Sequence, residues 1–471
     1  MNLFRSLLLG LLFALGACAS VPPAPTVALQ SAAEFAGRSL TDPGLKGYLE
    51  MTLRQPLSAW PAIAWDEQTL TLAAFYYQPE LGAARARWGT ARAAEVTAGG
   101  HPAPTLGLLP EYNVDAPANV SPWTVSLSLN LPIETAGKRQ YRLAQARQLS
   151  EAARLDVAST AWRVRSRVRA ALLDLYAARR SIALLGDQLD LAKGRLEIAR
   201  QRLAVGAAAR PDAIEASATL EQTGLALRQA EQRALAAQSA LAQAIGVSIE
   251  ALQEASLSFS EFETMPSHAS PGSSEARRLG LSSRPDVLAA LAQYAASESA
   301  LQLALAKRVP NIEIGPGYKW DEGQVKWSIG LAVTLPVASA GPIAEAAAGR
   351  DEAAARFNNL QAKVIGEVDQ ASAAYRLAVQ EVGVAQAMAD AAQEQLQAVE
   401  LQFRAGEADR LVLLGARLRI AVAQQARLSA RIDAHRALGA LEDALQQPLA
   451  PSALPVPYED PRTQANQGAG R

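Results

Sequence analysis

Few residues in this 471-residue chain have the types and spacings that do chemistry. His101, His268 and His435 lie far apart, without the i, i+4 spacing that sets two ligands on one helical face. No nucleophile–base set, metal-ligand cluster or phosphate loop appears, so no catalytic residue, metal or cofactor is expected and an enzyme is the least favoured class. Cys18 is the only cysteine. It ends Leu15-Gly16-Ala17-Cys18, after Arg5 and an apolar run from Leu7 to Leu15. A positive start, a short apolar core and small residues make a secretory signal. The run is too short to span a bilayer.

The signal resembles the lipobox of bacterial lipoproteins. That resemblance makes residues 1–17 a lipoprotein signal peptide and leaves Cys18 first in the mature chain, carrying covalent lipid such as palmitate. The alternative is an ordinary signal with an incidental cysteine. Ala19 and Ser20 follow, with no aspartate to retain the chain at the inner membrane, so the outer membrane is expected. The net charge of -1 implies no nucleic-acid partner. Beyond residue 20 no run of 18 apolar residues offers a transmembrane helix.

The elements that would position a site come in two copies. Gln78-Pro79-Glu80-Leu81 has a counterpart in Arg284-Pro285-Asp286-Val287, and Leu131-Pro132-Ile133 in Leu335-Pro336-Val337. Arg202-Leu203-Ala204-Val205-Gly206 recurs as Gln402-Phe403-Arg404-Ala405-Gly406. The three landmarks keep their order at an offset of roughly 200 positions, the mark of a duplication. The repeats are expected at 67–255 and 276–447, after an N-terminal segment 18–66, with a Ser/Pro linker 256–275 and a polar tail 448–471.

Each copy opens with helix, from about Leu70 to Gly99 in the first. Strands follow at about 104–113 and 123–132, then at 310–320 and 325–336. Trp123 to Leu131 alternates strictly, apolar at every odd number, and Val325 to Leu335 does the same. About ten residues per strand suits a tilted crossing of a bilayer. Tyr112, Trp123, Tyr318, Trp320 and Trp327 cluster near the hairpin loops, where membrane barrels carry aromatic girdles. Ser126, Ser128, Asn130, Asn311, Glu313, Lys319, Lys326 and Ser328 would then line a wet lumen. The competing fold is a soluble sandwich. Helices are expected at about 136–204, 210–246, 342–404 and 409–446. The first and third are on the order of 100 Å long, too long for a globular domain but suited to a coiled coil. Leu172, Leu175, Ile182, Leu185 and Leu189 have the spacing of a helical seam.

Open sheet edges do not survive in lipid, so four strands need other chains to close a barrel. Here the sequence is similar to the TolC-like outer membrane efflux proteins, over about Leu70 to Leu445. Pro132-Ile133-Glu134-Thr135-Ala136-Gly137-Lys138-Arg139 and Phe403 to Leu411 resemble the heavy-metal cation efflux branch. The resemblance implies a mainly α fold with a membrane β-barrel. A long periplasmic coiled-coil tunnel would carry four strands per chain into a trimeric twelve-stranded barrel. It implies a passive outer-membrane conduit for small solutes, drugs or metal cations, in a Gram-negative bacterium. The implied partners are two further copies, outer membrane lipid, a periplasmic adaptor and an inner-membrane pump of the resistance-nodulation-division type. Its adaptor-contact tips would be Arg202, Leu203, Val205, Gly206 and Ala207, with Phe403, Arg404, Ala405, Gly406 and Glu407. Its gate charges would come from Asp212, with Glu215, Glu407 and Asp409 compensating where Val412 breaks the pattern. The alternatives are the channel of a type I protein secretion system and a structural envelope coiled coil.

Overall fold

A computed structural model describes residues 27–57, 59–61, 64–266, 272–336, 340–449 and 457–461. Cys18, its signal segment, His268 and Val337 lie outside the described residues.

The first four helices are α1 (Ala28–Ala36), α2 (Pro43–Leu53), α3 (Glu67–Tyr77) and α4 (Pro79–Gly99). The expected single helix through residues 70–99 is two. Pro79 pushes the residue before it out of the helical region, and Gln78 is extended at ψ 118°. The Gln78 amide then donates to the carbonyls of Gln243 and Ala244, each at 2.7 Å, so the break is tied to the neighbouring helix. Asp66 and Thr69 start α3 with reciprocal capping bonds of 2.8 and 3.0 Å.

Strands β1 (Thr105–Tyr112) and β2 (Trp123–Ile133) follow, then α5 (Lys138–Ala204) and α6 (Arg210–Ile245). Short helix α7 (Ile249–Gln253) ends the first copy, and α8 (Ser260–Glu263) lies within the linker. The second copy contains α9 (Ser273–Ser283), α10 (Pro285–Ala306), β3 (Ile312–Asp321), β4 (Gln324–Val333), α11 (Ala340–Arg404) and α12 (Arg410–Leu445). With 67 and 65 residues, α5 and α11 are each about 100 Å long. Among the described residues, no helix is long and apolar enough to cross a membrane.

The main core is a belt part-way along the long helices. Leu45, Leu49, Leu70, Leu72, Leu172, Leu241 and Ile245 are fully buried there, with Trp65 and Phe262. Trp65 donates to Ser256 O at 2.8 Å and accepts from Ser258 N at 2.9 Å, so the N-terminal segment and the linker join in the belt. A smaller core around Val287, Val364, Val368 and Leu441 serves the second copy. The tail is not wholly free. Tyr458 packs edge-on against Trp88 at 6.0 Å, and Arg85 donates to Pro457 O at 2.9 Å.

Candidate functional site

The four strands form one antiparallel sheet in the order β1-β2-β3-β4. Its register sorts every side chain by face. Leu108 pairs with Leu127, Leu127 with Tyr318, and Tyr318 with Trp327. That face carries only apolar and aromatic residues. The other pairs Gly107 with Ser128, Ser126 with Lys319, and Lys319 with Lys326. Ser126, Ser128, Asn130, Glu313, Lys319, Lys326 and Ser328 all fall on this polar face, while Asn311 precedes β3. It is kept thin, because Ser128 lies over Gly107 and Ser328 over Gly317, where a Cβ would collide.

Among the described residues, nothing covers the apolar face. Trp327 is 78% exposed, Ile329 83% and Leu331 70%, so this is no half of a folded sandwich. The outer strands β1 and β4 each keep one unpaired edge. Tyr112 and Trp123 meet at 5.0 Å, and Tyr318 and Trp327 at 5.1 Å, placing aromatic pairs near the loop end of each hairpin. At the opposite end the Lys138 ammonium donates to Val309 O at 2.6 Å and Asn311 Oδ1 at 2.5 Å, tying α5 to the start of β3.

The long helices form two hairpins, α5–α6 and α11–α12, whose tips share one construction. Ala207 N donates to Arg202 O at 2.8 Å, and Glu407 N to Gln402 O at 2.9 Å. Gly206 and Gly406 adopt φ values of +71° and +78°, the left-handed turn that ends a helix. Val205 projects at 78% exposure; Leu203, Ala207, Phe403, Arg404, Ala405 and Glu407 are exposed beside it.

The acidic residues of the tips have separate duties. Asp409 caps α12 by accepting from Val412 N at 2.9 Å. Its other oxygen accepts from Arg202 at 2.7 Å, joining the two tips. The Arg202 guanidinium, with the cap bond, holds the Asp409 carboxyl below the usual carboxylate range. Asp212 instead accepts from Ala209 N at 3.1 Å, because Ala209 stands where the second copy has the capping aspartate. Glu215 is exposed one turn further along α6.

Sequence spacing did not show the tie between Arg202 and Asp409. It also missed a buried ion network in the belt. Arg165 contacts both Glu67 and Glu442 at 3.2 Å, and Arg169 contacts Glu67 at 3.3 Å. Burial raises the Glu67 carboxyl despite these arginines. Nearby Glu261 is pushed up to about 8 by burial and by the charges of Glu67 and Asp66. Burial also lowers His435 to about 4, its ring bonded to Thr264 O at 2.9 Å. No local motif signals this network, because its members come from α3, α5, α8 and α12.

The outer membrane efflux protein family model matches residues 74–247 and again 277–446, once in each copy. The chain belongs to that family. It is 26% identical over 218 residues to the cobalt-zinc-cadmium resistance protein CzcC of Cupriavidus metallidurans, covering 45% of this chain and 50% of that protein. It is 28% identical over 325 residues to the pyoverdine export outer membrane protein OpmQ of Pseudomonas aeruginosa, covering 64% of each. The chain thus spans about half to two thirds of the length of the curated relatives it matches. Among solved structures, the outer membrane protein VceC of Vibrio cholerae superposes with a TM-score of 0.66 at 18% identity, over 82% of this chain and 97% of that one. That likeness establishes the fold. The chain is a TolC-like outer membrane efflux protein, with an open four-stranded sheet at one end and paired helical tips at the other.

Proposed function

We propose that three copies of this chain close their sheets into a twelve-stranded barrel in the outer membrane of a Gram-negative bacterium. They form the exit channel of a tripartite efflux system. The observation that carries this reading is the sheet itself, apolar on one face, polar on the other and open at both edges. Closure satisfies the edges, lipid covers the apolar face, and the polar face lines a water-filled lumen. The long helices extend the tube into the periplasm. Substrate passes through it passively.

The two tips are the contacts for a periplasmic adaptor, which joins the channel to an inner-membrane pump of the resistance-nodulation-division type. Exposed Leu203, Val205 and Phe403 supply apolar contact, and the glycine turns let partner helices approach. Asp212, Glu215 and Asp409 supply the acidic side chains at this end. The cargo is a small solute. The relatives named for cobalt-zinc-cadmium resistance and for pyoverdine export support metal cations and small organic molecules as the two classes. Lipid on Cys18 adds a second membrane attachment.

The test is direct. Chain extracted from outer membranes in mild detergent should have the native mass of a trimer and form ion-conducting pores in planar bilayers. Mild crosslinking in cells should recover an adaptor through tip residues. A non-conducting monomer would reject the channel. Equal palmitate-analogue labelling of wild type and Cys18→Ala would reject the anchor.

A further inference from the structure

Toward the tips the long helices stand in a row with two open ends. α6 packs on α5, α5 on α12, and α12 on α11, each antiparallel to the next. α6 and α11 are thus the outer members of the row, as β1 and β4 are of the sheet. Their inner faces are filled. Ala216 of α6 is buried against Leu196 and Ala199 of α5, and Val382 of α11 against Ala434 of α12. Their outer faces are bare. Ile214, Leu225 and Leu235 on α6, and Leu377, Val384 and Met388 on α11, are all more than half exposed.

These residues have the spacing of a coiled-coil seam. Alternating steps of four and three lead from Ile214 through Leu225 and Arg228 to Leu235, and every position on that path is exposed. The same steps lead from Leu377 through Glu381, Val384 and Met388 to Ala398, again all exposed. The two paths also match in height. Arg202 holds Asp409 at 2.7 Å, so the turns at Gly206 and Gly406 stand level. A rotation that relates copies around a tube keeps that level. Ile214 and Ala398 each lie about 8 positions, or ~12 Å, from the glycine of their own tip. Leu225 and Met388 lie about 19 and about 18 positions away, and Leu235 and Leu377 each about 29. At the height of Arg228 the other path has Val384, and Glu381 stands one step of ~4.5 Å further. Glu381 is the only charge on the α11 path, and neither it nor Arg228 has an ion-pair partner among the described residues. Glu221, the other charge on the α6 path, falls level with Ala391.

We propose that α11 of one copy packs antiparallel on α6 of its neighbour, Met388 against Leu225 and Leu377 against Leu235, with Arg228 paired to Glu381 across the seam. This rests on the trimeric channel reading and closes the helical wall of the tube. A second copy is the occupant that fits. The two stripes belong to opposite ends of one row, match in height along their length, and continue its antiparallel alternation when joined.

The experiment is a disulfide scan in the full-length chain in outer membranes. Leu225→Cys with Met388→Cys should give covalent dimers and trimers of this chain after mild oxidation. The yield should be several-fold above the offset pair Leu225→Cys with Leu377→Cys, whose positions differ in height by ~15 Å. The single variants set the background from Cys18. Within one chain α5 and α12 stand between α6 and α11, a span on the order of 25 Å, beyond disulfide reach, so any link between the two new cysteines joins copies. Arg228→Glu should lower heat-resistant trimer several-fold, and Arg228→Glu with Glu381→Arg should restore it. Native mass of the wild type is read alongside. A wild-type trimer with no linkage in the matched pair, with stronger linkage in the offset pair, or with either cysteine joined to another envelope protein instead overturns the seam and leaves the channel standing. Absence of rescue by the charge swap overturns the ion pair. A wild-type monomer overturns seam and channel together.

Discussion

The belt and the sheet solve the same problem in opposite ways. In the belt, apolar residues from five or more elements converge, and Leu70, Leu172, Leu241 and Ile245 lose all contact with solvent. In the sheet, β1 and β4 are exposed along their whole length although their apolar residues are as large. One region is finished by the chain alone. The other, in the channel proposed here, is finished by lipid and by further copies. Stability of the monomer and competence of the channel should therefore respond to different substitutions.

The largest separation should come from charge on the apolar face of the sheet. Ile329→Arg or Leu127→Arg costs about 2–4 kcal/mol per copy at mid-membrane, so roughly 6–12 kcal/mol in a trimer. Trimer yield on native gels should collapse while belt helicity, read by circular dichroism, persists. Ser128→Arg, on the polar face, should assemble and change single-channel conductance. Equal trimer yields for Leu127→Arg and Ser128→Arg would reverse the assignment of faces.

Leu172→Ala should do the converse. Removing a fully buried belt side chain costs about 2–5 kcal/mol, seen as a lower melting temperature of the helical signal. A melting temperature unchanged from wild type would mean that the belt does not carry the stability of the chain.

A smaller effect is expected at the tips. A Cβ at Gly406 meets nothing within 4 Å, so Gly406→Val suffers only backbone strain, about 1–2 kcal/mol. Trimer yield should hold while adaptor crosslinking and export fall. Loss of the trimer would make the turn a stability element instead.

The smallest effect concerns pH. Glu261 has its carboxyl raised from 4.5 to about 8. For an acid raised in this way, stability is complete below the unfolded value and is lost as pH rises through the folded one. The belt should weaken between about pH 5 and about pH 9, and Glu261→Gln should flatten that slope by a few degrees of melting temperature. Identical slopes in the two proteins would show that Glu261 ionises without penalty.

Much of the membrane region was legible in the sequence, because a strand with one wet and one apolar face must alternate. The Trp123–Leu131 alternation and the observed register sort the same residues to the same faces. The glycine turns were legible too, as Gly206 and Gly406 sit where left-handed backbone ends a helix. The belt was not. Its helices bury residues on more than one side, as in the fully buried run from Leu70 to Tyr77, so no single stripe marks the core. Asp409 stands in the sequence as a gate charge; it caps α12 through Val412 N, three residues on, while its bond to Arg202 depends on a partner about 200 positions away. The linker looked featureless because Phe262 finds its partners only after the chain has folded back.

The central pairing of the sheet joins Leu127 to Tyr318, about 190 positions apart. Neither hairpin is stable alone, since two strands in water are marginal at best. The membrane-seeking surface therefore cannot exist until nearly three quarters of the chain has been made and delivered. A half-synthesised chain carries no sheet with which to enter the wrong bilayer on its way out. Duplication with the two hairpins far apart thus acts as a timer: insertion waits for completion.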